Sequence, residues 1–262
     1  MSSANSSAVS GISSLGERPQ APAKATALYN KPSSTYAQKL AEAQDVLRQA
    51  AALGQVTQAN SLGAEDVVIT HLINALKLDI PVFVLETGAL HRETLALLER
   101  TQAFSRAPVK VFHPREESVL HFIRNEGQDA MYRSIALRKA CCGIRKMEPL
   151  ARALAGKKGW ITGLRREQSN ARAEVPLVDE SDLASKDQLK FNPLAAWTQG
   201  DVWHYIAANA VDYNPLHDQF FPSIGCAPCT RAVSLGEDFR AGRWWWESED
   251  AKECGLHVKS AA

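Results

Sequence analysis

The sequence predicts an α/β fold, a mostly parallel sheet with helices on both faces, and three observations carry that prediction. Short extended stretches alternate with helical stretches from residue 56 to about residue 162. The extended ones, such as Ile80 to Leu85 and Val109 to Phe112, are almost continuously apolar, as strands are when both faces of a sheet are covered by crossover helices. Length sets the third: 262 residues with 45% apolar content enclose one sizeable core, so one main domain with appendages is expected.

Taken in order, residues 1–34 are rich in Ser, Ala and Pro and poor in large apolar residues, which predicts a disordered leader. A transit peptide is also Ser-rich and acid-poor, but Arg18 is the one arginine in this stretch, so the plain leader is preferred. Leu40, Ala43, Val46, Leu47, Ala50 and Leu53 recur at three- and four-residue steps and form one helical face that Gly54 ends. An extended stretch at 56–60 leads through the turn Ser61-Leu62-Gly63 into a helix carrying Val68, Leu72 and Leu76. Strand Ile80–Leu85, the loop Glu86-Thr87-Gly88, a helix over 91–104, strand Val109–Phe112, a helix over 116–124 and strand Trp160–Thr162 follow. After about residue 190 the alternation stops. Thr198 is placed to cap a helix carrying Val202, Trp203 and Ile206, and from Tyr213 to Ala262 the chain reads as mostly loop. Ligands of parallel sheets bind at the carboxyl ends of strands, so the loops at 61–66, 86–88 and 163–172 are expected to line one pocket.

Charge narrows the partners. Lys+Arg 30 against Asp+Glu 29 disfavours a protein devoted to sequence-independent nucleic-acid binding. No apolar run is long enough to cross a bilayer and the N-terminus lacks a secretory pattern, so a cytoplasmic protein without membrane partners is expected.

Five cysteines are present: Cys141-Cys142, Cys226-Ala-Pro-Cys229 and, alone, Cys254. In a reducing compartment clustered cysteines bind metal or do chemistry more often than they form disulfides. The C-x-x-C spacing suits zinc, redox pairs and iron–sulfur ligation alike. Adjacent cysteines grip a single ion poorly, whereas a cubane offers each thiolate its own iron. On spacing alone an iron–sulfur cluster, zinc and uncoordinated core thiols stay open.

Several stretches together carry a resemblance: Cys141-Cys-Gly-Ile-Arg-Lys-Met-Glu-Pro-Leu150, Gly163-Leu-Arg-Arg-Glu-Gln-Ser169, Lys190-Phe-Asn-Pro-Leu194, Ile224-Gly-Cys-Ala-Pro-Cys-Thr230, Gly242-Arg-Trp-Trp-Trp-Glu247 and Glu253-Cys-Gly-Leu-His257. From about Ser61 to His257 the chain resembles the assimilatory adenylyl-sulfate reductases, the iron–sulfur branch of a family that also reduces the 3′-phosphorylated compound. The resemblance implies a Rossmann-like fold of the adenine nucleotide alpha-hydrolase type. It divides the chain into the leader 1–34, a nucleotide- and cluster-binding domain 35–230 and a C-terminal catalytic flap 231–262. It implies a 4Fe-4S cluster on Cys141, Cys142, Cys226 and Cys229, and Cys254 as nucleophile. Cys254 would attack the sulfur of adenylyl sulfate, displace AMP and carry a Cys-S-sulfonate until thioredoxin, or glutaredoxin, releases sulfite on the route to cysteine. Relatives that use the 3′-phosphorylated substrate typically lack the four paired cysteines, so the unphosphorylated substrate is expected. Oligomeric state is left open, a homo-oligomer included.

The same resemblance assigns the remaining site. Lys146, Arg240, Arg243 and His257 would surround the sulfuryl group, whose oxygens otherwise repel an anionic nucleophile. Lys146 stands four residues after Cys142, which on an α-helix puts both on one face. Ser61 and Gly63 lie at a strand–turn–helix junction suited to an anion at a helix N-terminus, although Glu65 and Asp66 would repel phosphate there. Leu62 stands where many relatives carry Ser, Glu86 where they commonly carry Asp before Thr87 and Gly88, and Arg138 where some carry His. Arg165 and Arg166 are placed to grip phosphate or sulfate. Trp244-Trp245-Trp246 reads as an anchor for the flap rather than a base-stacking platform. Two rivals remain: reduction of the 3′-phosphorylated compound, and a zinc-stabilised nucleotide-binding or ATP-pyrophosphatase-type protein with an inert Cys254.

Overall fold

The computed structural model describes residues 23–182, 187–234 and 236–248. Cys254, His257 and the first part of the expected leader lie outside these residues. Six strands form one sheet among the described residues: β1 (Val56–Ala59), β2 (Val82–Leu85), β3 (Val109–Phe112), β4 (Gly159–Ile161), β5 (Val178–Asp179) and β6 (Leu189–Phe191), in the order β3-β2-β1-β4-β6-β5. Every pair is parallel except β5 with β6.

The helices are α1 (Ala25–Tyr29), α2 (Tyr36–Leu53), α3 (Ala64–Ala75), α4 (Arg92–Phe104), α5 (Glu116–Glu126), α6 (Ile135–Cys142), α7 (Glu148–Leu154) and α8 (Gln199–Ala208). Successive strand residues part to opposite faces. Val82, Val84, Ile161 and Phe191 join the larger core with Leu47 of α2, Ile69 of α3 and Trp203 of α8, while Phe83 and Trp160 join a smaller one with Leu150 and Leu154 of α7. The sheet is therefore covered on both faces, as the apolar strands required. The expected cap forms at α8: the Thr198 hydroxyl accepts from Asp201 N (3.1 Å) and the Asp201 carboxylate accepts from Thr198 N (2.9 Å).

Three details depart from the sequence reading. Order begins before Tyr36. Ala25 is fully buried and its N–H donates to Asp218 (2.7 Å), Tyr29 packs on Trp203, and Ser33 and Lys39 both bind the Asp201 carboxylate. A five-residue helix has too little periodicity to read in sequence, and its order comes from α8. β5 and β6 extend the sheet with segments of two and three residues, also below the length that a pattern reveals. Finally, α6 and α7 are joined by a π turn over Gly143–Met147. A π turn holds more residues per turn than an α-helix, but a four-residue step still falls close to one full turn, so Lys146 stays on the side of Cys142.

Candidate active site

The strand order reverses between β1, whose chain winds outward through β2 and β3, and β4, whose chain continues to β6 on the other side. A crevice opens at the carboxyl ends of strands at such a switch point, and here it is a cavity of about 200 Å³. The three loops expected to line one pocket do so, contributing Ser61 and Gly63, Thr87, and Gly163 with Gln168 and Arg172. Phe83, Leu85, Leu150 and Trp160 give it an apolar wall, and Lys146, Arg240 and Arg243 bring cations to it.

The loop after β1 is self-contained. Ser61 donates its N–H (2.8 Å) and hydroxyl (2.6 Å) to the Asp66 carboxylate. Burial pushes the Asp66 carboxyl up to about 6 against those two bonds. Burial also works to raise Glu65, but the Arg165 guanidinium at 2.9 Å and Gln168 at 3.1 Å hold it below the usual carboxylate range. The two acids that the sequence set against a phosphate are thus engaged by the protein. Leu62 has φ +63° and a fully buried side chain in the larger core, outside the cavity wall. Gly163 lets β4 approach α3: a Cβ there would meet Asp66 Oδ1 at 2.5 Å.

Ser61, Gly63, Thr87, Lys146, Arg240 and Arg243 line the cavity; Gly88, Arg165 and Arg166 do not. Gly88 shapes the loop instead, with φ +68° and its N–H on Glu86 Oε1 (2.7 Å). Arg165 is 1% exposed and paired with Glu65 and Glu167. Exposed Arg166 donates to the Val175 carbonyl (2.8 Å). The basic contribution of this segment to the cavity is Arg172, which sequence reasoning missed although it stands in the same strand-exit loop. His217, 5% exposed on a 3-10 turn (Pro215–Gln219), was also missed; nothing in its sequence setting sets it apart.

The segment after Cys229 folds back on the domain. Thr230 bridges Arg243 in antiparallel fashion and Trp244 N–H donates to the Cys229 carbonyl (3.2 Å). Trp244 is 1% exposed and packs with Met131, Cys226 and Cys229. The guanidiniums of Arg138 and Arg243 each lie 4.6 Å from its ring centroid and that of Arg240 lies 5.9 Å away. Arg138 also makes a buried bidentate pair with Glu247 (2.9 and 2.6 Å). Trp244 is thus the buried member of the tryptophan run, whereas Trp245 is 39% exposed.

None of the described cysteines is in a disulfide. Cys141 and Cys142 close α6, and Cys226 and Cys229 flank a 3-10 turn. Burial pushes the Cys141 thiol up, with Arg145 and Lys146 opposing and Cys226 reinforcing. Burial, then the Cys226 charge, pushes Cys229 up to about 12 against Lys146 and Arg243. These three sulfurs therefore share one neighbourhood with the two cavity cations, and Thr87 Oγ1 lies 3.3 Å from Cys226 Sγ. Among the described residues no three His, Cys, Asp or Glu side chains close on a single ion. No described helix is long and apolar enough to cross a membrane.

Residues 55–232 match the model of the phosphoadenosine phosphosulfate reductase domain. A protein of Burkholderia cepacia named adenosine 5′-phosphosulfate reductase is 50% identical over 204 residues, 78% of this chain and 81% of that protein. One of the same name from Neisseria meningitidis serogroup A is 52% identical over 200 residues, 76% of this chain and 81% of the other. Among solved structures, phosphoadenylyl-sulfate (PAPS) reductase from Candida auris, a phosphate complex, superposes with TM-score 0.62 at 27% identity, covering 75% of this chain and 93% of that one. Candida glabrata FMN adenylyltransferase superposes with TM-score 0.53 at 12% identity, covering 91% and 81%, a likeness of fold alone.

Proposed function

Because the chain belongs to the phosphoadenosine phosphosulfate reductase domain family, we infer that it reduces adenylyl sulfate to sulfite and AMP, the reaction for which its half-identical relatives are named. The observation that carries this reading is the shared wall between cavity and cysteines. Lys146 and Arg243 line the one and act on the thiols of the other.

In the proposed reaction the Cys254 thiolate attacks the sulfuryl sulfur. A sulfur–sulfur bond forms as the bond from sulfur to the bridging oxygen breaks, and AMP leaves with the electron pair. A thiol of thioredoxin, or of a glutaredoxin, then attacks the Cys254 sulfur. Sulfite departs with the pair of the cleaved bond, and the second thiol of the reductant resolves the mixed disulfide, so two electrons come from the dithiol. The protein's part is electrostatic. Lys146, Arg240 and Arg243, joined in sequence by His257, offset the charge that builds on the sulfuryl oxygens and on the leaving phosphate. The apolar wall of Phe83, Leu85, Leu150 and Trp160 suits a purine base, and Gly63, which precedes α3, suits the phosphate side.

An all-thiol set fits an iron–sulfur cluster. Burial holds Cys141 and Cys229 as neutral thiols, and a cationic centre is what would let them ionise. Cys141, Cys142, Cys226 and Cys229 would hold a 4Fe-4S cluster, one iron to each thiolate. When bound, the cluster would neutralise part of the thiolate charge and would cross-link α6 and the 226–229 turn. Iron and acid-labile sulfide analysis after anaerobic purification tests the assignment. Four of each per chain is the expected result, and colourless protein with stoichiometric zinc would overturn it. Turnover on both nucleotides tests the substrate: preference for adenylyl sulfate is expected, and a strong preference for its 3′-phosphate would replace the reading with its nearest rival.

A further inference from the structure

One side chain in the cavity wall lacks an assignment and has a defined chemical demand. His217 is 5% exposed and lines the cavity. Its Nδ1 lies 2.8 Å from the Phe221 carbonyl oxygen, which only accepts, so Nδ1 carries the proton. Trp203 packs edge-on to the ring at 5.2 Å and fixes its plane. The buried Nε2 has no hydrogen-bond partner among the described residues. Burial disfavours the imidazolium, although Glu65 and Asp218 work the other way. The ring lines the cavity, and its buried Nε2 holds a lone pair on a fixed ring, an acceptor in want of a donor.

Adenylyl sulfate has donors in two places, the amino group of the base and the hydroxyls of the ribose. The apolar wall for the base belongs to the α7 face of the sheet, with Phe83 and Trp160, whereas His217 stands with Trp203 on the opposite side, that of α3 and α8. The phosphosulfate is acceptor-only and finds Lys146, Arg240 and Arg243. The ribose joins these two ends. We propose that His217 Nε2 accepts a hydrogen bond from a ribose hydroxyl of the bound nucleotide and is a specificity-determining residue of this site. The proposal rests on the nucleotide reading above. A phosphate ester in place of that hydroxyl would take away the donor and bring its charge toward Glu65 and Asp218.

The test is binding of AMP, 2′-deoxy-AMP and 3′-deoxy-AMP to the full chain by calorimetry, in the wild type, His217→Leu and His217→Gln. In the wild type, removing one of the two hydroxyls should weaken binding by about ten- to hundredfold, the consequence of leaving a buried acceptor unsatisfied. In His217→Leu, AMP should fall to the level of that deoxy analogue, so the penalty disappears. His217→Gln, which keeps an acceptor at the same reach, should restore part of it. A deoxy penalty of equal size in the wild type and His217→Leu, or no penalty in the wild type for either analogue, would overturn the assignment. If His217→Leu does not fold, His217→Phe, which also lacks the acceptor, takes its place in the same comparison: a penalty unchanged from the wild type refutes the contact. Failure of AMP itself to bind the wild type would instead overturn the nucleotide reading.

Discussion

A single methyl group at Gly225 separates the role of Arg243 from that of its neighbours. A Cβ on residue 225 would lie 2.5 Å from Arg243 Nη2 and 2.6 Å from its Cζ. Carbon atoms pack at about 3.5 Å or more, so the guanidinium must retreat by roughly 1 Å. The backbone at 225 is outside the left-handed region, so alanine itself is tolerated and the displacement falls on the arginine. That side chain has little room: it is 7% exposed, lies 4.6 Å over the Trp244 ring and donates to Ser223 Oγ (3.3 Å). Misplacing a group that stabilises a transition state by this distance costs about 100-fold, and losing one oxyanion donor outright costs about 10²–10³. Gly225→Ala is therefore expected to slow single-turnover formation of the Cys254 adduct by about 100-fold. AMP affinity should fall by less than the rate, because the apolar wall stays in place and Lys146 and Arg240 share the phosphate charge with Arg243. The measurement is acid-quenched transfer of labelled sulfur from adenylyl sulfate to the protein. A rate within about threefold of wild type, in a variant with normal melting behaviour, would show that Arg243 does not stabilise the transferring group.

Replacing Cys254 by Ser should abolish sulfite release while AMP binding persists; continued turnover would move the nucleophile elsewhere. The Asp201 carboxylate answers to pH. Burial works to raise it, but Lys39, the Thr198 amide and Ser33 bring it from 3.8 down to about 2. A depressed folded value means that its stabilisation is complete above the unfolded value and is lost as pH falls from 3.8 toward 2. Asp201→Asn should lower stability by about 3 kcal/mol at neutral pH and flatten the decline across that acidic window in thermal melts; an unchanged acid profile would refute the linkage. Glu247→Gln takes the carboxylate out of the buried bidentate pair with Arg138, for a loss of about 3 kcal/mol in chemical denaturation. Arg138→Met combined with Glu247→Met should recover most of it, and a double variant no better than the single one would argue against the pair as the cause.

The parallel core was legible because its strands are long enough and apolar enough to show their period. β2 and β3 and helices α2 to α5 stand where Ile80–Leu85, Val109–Phe112 and the three- and four-residue steps put them. The strand-end loops were legible for the same reason, since topology rather than side-chain identity brings 61–66, 86–88 and 163–172 together. Side-chain direction was not. Arg165 and Arg166 looked alike in sequence, yet a buried Glu65 takes one and the surface takes the other, while Arg172 turns inward. α1 was hidden because its order depends on Asp218 and Trp203, nearly two hundred residues away. His217 was hidden because a histidine becomes informative only when one nitrogen is seen satisfied and the other is not.

The π turn explains why cysteines and cavity form one unit, and its cause lies in Glu148-Pro149. Proline has no N–H to give to the carbonyl four residues back, here that of Arg145, and its ring crowds that carbonyl. The α-helical ladder cannot run through this point, and Glu148 N–H instead donates to Gly143 O, five residues back. Lys146 acts on Cys141 and on Cys229 across the chain while lining the cavity. Arg145 reaches the Thr87 carbonyl at 2.6 Å, and the Thr87 hydroxyl meets Cys226. A charge change at the sulfurs is thereby felt at Lys146, and a shift of the Thr87 loop is felt at Cys226, without any electron having to cross. Lys146 stays with the cysteines through the interruption, because four residues fall close to one turn of either kind of helix.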